Sequence, residues 1–204
     1  MTIPTLTQNY KKKVVETKLS KFYSTMNQAI RLSEIDNGDT KTWDELKYFC
    51  TFDTEDEEEK RPQCKAGTED ALIWYNKYLA PYLKTAKVGT AQDKTYCASV
   101  SEDDVCENAS DVILYFTDGS ALQFSGRGFN YYIDSNKMKP DDRPDKWGIN
   151  GFPFFFNPNN SIPIQPYYNT YAGWGCTSEE SGANCTHVIW QNGWKIPDDY
   201  PFKL

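Results

Sequence analysis

QNYKKKVVETKLSKFYSTMNQAIRLSEID, from Gln8 to Asp36, decides how the rest of the chain is read. It contains no glycine or proline and stops at Asn37-Gly38, a helix terminator. Leu19, Phe22, Met26 and Ile30 fall at i, i+3, i+7 and i+11, and Val15, Tyr23 and Ala29 widen the same stripe. That spacing gathers them on one side of an α-helix and leaves Lys11, Lys13, Lys18, Lys21 and Arg31 largely off it. At about 1.5 Å per residue the helix spans roughly 40 Å, well beyond the usual three to four turns. Such a length reads as the lower half of a longer helix whose upper half lies upstream. The turns near Lys11 to Lys13 are then expected to fray.

The 204 residues suffice for one domain, 1–204, with a real core. The helix occupies 1–37, a helical and loop insertion 38–110, and a sheet with a C-terminal region 111–204. Hydrophobic residues are 39% and charged residues 25%, the balance of a polar globular chain. A net charge of −7 argues against general nucleic-acid binding, which needs a basic face. The acidic run from Asp53 to Glu59 reads as a solvated loop tip.

Six cysteines fall into three close pairs, Cys50 and Cys64, Cys97 and Cys106, Cys176 and Cys185. Six cysteines admit 15 connectivities. The three sequential pairs are expected, since each closes a short polar loop worth roughly 3 kcal/mol in the chain-entropy model. Disulfides place the chain outside the cytosol. An exported chain needs a targeting segment, which is expected upstream of Ile3.

Beyond the first helix, Thr40 opens a short helical segment to Phe49. Thr68-Glu69-Asp70 starts another, with Leu72, Tyr75, Leu79, Tyr82 and Leu83 on one face and Pro81 near its end. Two β-prone runs between Asp111 and Ser125 meet at Asp118-Gly119, a hairpin signal. Asn130 to Asp134 and Phe152 to Phe156 make two further strands. The order predicts an α+β fold, with the long helix packed on an antiparallel β-meander.

From Trp147 to Ser178 there is no charged residue, and prolines 153, 158, 163 and 166 argue against a regular central strand there. Phe154, Tyr167, Tyr168, Tyr171 and Trp174 lie in this neutral stretch. They are candidates for a contact surface, because interface cores are rich in aromatics and poor in charge.

Three stretches together resemble one family. IPTLTQNYKKKVVETKLSKFYSTMNQAIRLSEIDNGD, YYIDSNKMKPDDRPDKWGINGFPFFF and CTHVIWQNGWKIPDDYPF resemble, in order, parts of bacterial type IV pilin-like proteins, the pseudopilins of type II secretion among them. The resemblance implies an N-terminal transmembrane half-helix anchoring the chain in the inner membrane, an α+β head, and a C-terminal region locked by a disulfide. It implies a structural subunit of the cell envelope or exterior that assembles with other pilin or pseudopilin subunits by packing of the N-terminal helices, with Leu19, Phe22, Met26 and Ile30 as the stripe that anchors the head to its helix. Some pseudopilins bind calcium in the middle loop, and Asp134, Asn136, Asp141, Asp142 and Asp145 have the right oxygen chemistry. The chain departs from the family pattern at Asn150, where an aspartate is usual, and at Lys137, where a glycine is. The spacing is not that of an EF-hand, and turn formation explains the same residues.

No catalytic pattern emerges. His187 is the single histidine, and Cys185 beside it is assigned to a disulfide. The alternative to a filament subunit is a surface module that binds glycans through exposed aromatics.

Overall fold

Helix α1 runs over Ile3–Asn37, 35 residues and about 52 Å. The computed structural model describes residues 3–44, 46, 67–90, 112–125, 128–138 and 147–204. α1 starts five residues before Gln8, so Pro4 sits in the first turn, where its missing N–H has no intrahelical acceptor to lose. It ends at Gly38, whose φ of +80° suits a residue without a Cβ and whose N–H donates to the Glu34 carbonyl. From Thr7 to Val14 every residue is exposed or half-buried, while Val15, Leu19, Phe22, Met26, Ala29 and Ile30 are buried. The helix is therefore seated by its second half.

Six strands follow as a fully antiparallel meander, in sheet order β1 to β6. They are β1 (Lys87–Thr90), β2 (Val112–Tyr115), β3 (Ala121–Ser125), β4 (Gly128–Tyr132), β5 (Gly151–Phe156) and β6 (Ile164–Pro166). The β2–β3 hairpin closes on a turn at 116–119, with Gly119 at φ +79° and Phe116 N–H bonded to the Ser120 carbonyl. Register sets the core. Val112 pairs with Phe124, Phe124 with Phe129, and Phe129 with Phe154, so alternate side chains from four strands share one face.

Three helices lie on that face: α1, α2 (Gly67–Tyr78) and α3 (Cys185–Gln191). Phe22 of α1 stacks on Tyr131 at 4.1 Å and meets Phe154 edge-on at 4.9 Å. Trp74 of α2 packs against Phe156 at 5.5 Å and Trp43 at 5.8 Å, and Trp43 stacks on Tyr78 at 4.4 Å. On the opposite face Ile113 and Ala121 are also buried, with Tyr115 and Met138 against them.

Several expectations need correction. Of the segment opening at Thr40, the described residues form a 3-10 turn over Thr40–Thr42, and Trp43 is extended at ψ 153° with its ring against Tyr78; residues 45 and 47–49 lie outside the described residues. α2 ends at Tyr78, since a residue preceding Pro81 is disfavoured in helical conformation. Its buried face is Ala71, Trp74, Tyr75, Tyr78 and Leu79, with Leu72 only half-buried. Strands β1 and β6 were not anticipated. Pro153 sits inside β5, where its carbonyl accepts from Tyr167 N–H, so its missing donor faces the end of the short edge strand.

The outer edge of β6 is closed by a side chain. Asn27, buried on α1, donates from Nδ2 to the Ile164 carbonyl and accepts from Ile164 N–H at Oδ1, both at 3.3 Å. The amide takes the place of a seventh strand. Asn27→Leu leaves two buried backbone groups unpaired and is expected to lower unfolding free energy by about 2–4 kcal/mol in urea melts. Gln28→Leu, one residue away on the exposed face, is expected to change it by less than about 0.5 kcal/mol. Equal effects at the two positions would refute the edge-closing role.

Candidate functional site

After β6 the chain crosses the neutral stretch and enters the loop closed by the Cys176–Cys185 disulfide, with a Cα separation of 4.7 Å. The loop is held from within. Glu180 accepts from Gly173 N–H and Thr177 Oγ1, and Asn184 exchanges hydrogen bonds with the Asn169 backbone at 2.7 and 2.9 Å. It is also held from below. Gly148 adopts φ +84°, its carbonyl accepts from Tyr200 Oη at 2.6 Å, and a Cβ there would fall 2.8 Å from the Cβ of Cys185.

α3 ends in a Schellman turn. Trp194 N–H reaches the Ile189 carbonyl and Gly193 N–H the Trp190 carbonyl. Gly193 takes the left-handed φ of 65° that the turn requires, and Trp194 follows at φ 62°, a strained position for an aromatic residue. The compensation is contact: Trp194 packs on Tyr23 at 5.0 Å and on Phe154 at 6.4 Å. The following residues then run back to α1, where Glu16 accepts from Ile196 N–H at 3.1 Å and Lys195 Nζ at 3.2 Å.

The proposed contact residues separate into two groups. Phe154 is buried and belongs to the core, because its register opposite Phe129 turns it toward the helices, a correction to its place on a surface. Tyr168, Tyr171 and Trp174 are exposed, and Tyr167 is half-buried 5.7 Å from Trp174. Sequence reasoning missed two partners on α3. His187 lies 4.6 Å from Tyr168 and 5.3 Å from Trp190, so three rings form a row across β6's exit and α3. The spacing of His187 and Trp190 by three residues on a helix was the available signal.

The remaining candidates are less complete. Cys50, Cys64, Cys97, Cys106, Asp141, Asp142, Asp145 and the acidic run 53–59 lie outside the described residues. Asp134 does turn chemistry: its Oδ1 accepts from Asn136 N–H and Nδ2, and Lys137 stands 3.6 Å from Oδ2. Asn150 bonds the Asp134 backbone at both its N–H and its carbonyl. Among the described residues no group of three His, Cys, Asp or Glu is placed to hold a metal ion.

Electrostatics distinguish two regions. Burial holds the His187 imidazole below its ordinary 6.5, so the aromatic row is uncharged near neutrality. At the β2–β3 turn, burial would raise the Asp118 carboxyl, yet hydrogen bonds from Ser120 and the charges of Lys18 and Lys21 hold it below the ordinary 3.8. Lys18 also donates to the carbonyls of Asp118 and Ile133 at 2.8 and 2.9 Å, pinning α1 to the hairpin.

For His187 the unfolded chain binds more protons than the native one between the lowered midpoint and 6.5. Its stabilising contribution is therefore complete above 6.5 and declines as pH falls through that window. An NMR titration is expected to place the midpoint below 6.5, and Tyr168→Ala to move it upward by removing the covering ring. A midpoint at or above 6.5 in the native chain would contradict the packing described.

No curated protein and no solved structure matches the chain. One family model matches residues 5–204, nearly all of it. The chain belongs to that family, DUF6613, a family of unknown function.

Proposed function

We propose that the chain is the head of a type IV pilin-like subunit, a structural protein assembled into a cell-envelope filament through its N-terminal helix. The observation that carries this reading is the uneven seating of α1. Its second half is locked into the core, while Thr7 to Val14 lack a buried face. A rigid helix standing off a folded head is a means of attachment to neighbouring subunits. The antiparallel meander and the C-terminal disulfide agree with the architecture that the sequence resemblance implies. Among the described residues no helix is long and apolar enough to cross a membrane, so anchoring in the inner membrane would fall to a segment upstream.

The test uses the gene in its own host. Sheared surface filaments are expected to contain the chain, and Tyr10→Asp, at a position 70% exposed, to deplete it from them. The variant's melting temperature is expected to stay within about 2 °C of the parent, as for other exposed substitutions. Recovery of the native chain only as free monomer would overturn the reading.

The row of Tyr168, His187 and Trp190 favours a second reading, a glycan-binding module. Neutral aromatic rings in a row suit stacking on sugar faces. Saturable binding on a glycan array, lost in Trp190→Ala, would support it. Binding unaffected by that substitution, or none, would remove it.

A further inference from the structure

A cleft of about 390 Å³ opens between α1, the segment after α2 and the β2–β3 turn, on the helix-covered face and toward the end of the sheet away from β6 and the aromatic row. Its volume falls in the range of about 300–1,000 Å³ usual for small-molecule sites. The floor is apolar: Phe22, Met26, Ala29, Leu83 and Tyr131 line it and none is more than 6% exposed. The rim carries Lys21 and Lys84, both exposed.

The charge around this opening runs against that of the chain. Asp118 is the single carboxylate in the lining, and it is already engaged. Its Oδ1 accepts from Ser120 N–H and Oγ, and its Oδ2 lies 4.0 Å from Lys21 Nζ. Lys18, outside the lining, donates to the Asp118 carbonyl behind it. Among the described residues no carboxylate pairs with Lys84. Two lysines and one acid thus line this opening, in a chain of net charge −7.

We propose that this cleft binds a small organic anion with an apolar body, a carboxylate held at the rim by Lys21 and Lys84 over the floor of Phe22, Met26 and Tyr131. An apolar floor rewards burial of a hydrocarbon or ring, and the exposed ammonium groups accept a charge that stays partly hydrated. A neutral ligand would leave the lysines unused. An acidic macromolecule would not reach the floor.

The test is an NMR titration of the methyl-labelled full chain with naphthoate and with its neutral counterpart, naphthylmethanol. Naphthoate is expected to shift the Met26, Ala29 and Leu83 methyls saturably and to bind about tenfold more tightly than the alcohol, the worth of one charge-assisted hydrogen bond. The surface double variant Lys21→Gln/Lys84→Gln is expected to bind the two ligands equally. Thr25→Trp, which fills the cleft from an exposed position on α1, is expected to abolish both. Equal affinities in the parent, shifts centred elsewhere, unaltered binding in Thr25→Trp, or no saturable shift would each overturn the proposal. None of these outcomes depends on whether the chain assembles into filaments.

Discussion

The structure depends on how Phe22 sits between Tyr131 and Phe154. The ring stacks on one and meets the other edge-on, with Leu19 and Met26 buried on either side. Aromatic pairs of this kind contribute about 0.5–1.5 kcal/mol each beyond their burial. Their larger effect here is to fix the roll of α1. With Phe22 down, Lys18 falls on the β2–β3 turn, Asn27 on the edge of β6, and Glu16 on the C-terminal segment. Each helical residue advances the face by about 100°, so a slip of one position would break all three ties together.

The stripe on α1 was legible because its period is helical and long, and the β2–β3 hairpin because Asp118-Gly119 specifies a turn. Strand β6 was hidden because its three residues, Ile164, Gln165 and Pro166, carry little pattern of their own. Its place depends on Asn27, 137 positions away, which no local propensity reveals. Pro153 is tolerated in the expected strand over Phe152 to Phe156 because the cost of a proline in a strand depends on which side its nitrogen faces. Phe154 was assigned to a surface because composition cannot distinguish three consecutive phenylalanines, whereas register buries two and exposes Phe155.

The surface features were legible in kind more than in arrangement. A neutral aromatic stretch was evident in the sequence. Its meeting with His187 and Trp190 arises only once the disulfide and the Asn169–Asn184 pair fold the loop against α3. The cleft had no signature at all, because its lining comes from α1, the segment after α2, the β2–β3 turn and β4. The aromatic row lies beside β6 and the cleft beside the β2–β3 turn, so a neutral surface and a locally cationic one sit toward opposite ends of the same helix-covered face.

The bonds from Glu16 to Lys195 and Ile196 have a mechanical consequence. A force entering through the free turns of α1 would not peel the sheet open strand by strand. It would slide α1 along its seat, loading Glu16, Lys18 and Asn27 in parallel, as three rungs of a shear joint spread over about three helical turns. Shear across several hydrogen bonds must break them together, whereas unzipping breaks them singly. The last residues of the chain thereby serve as a strain relief for the first.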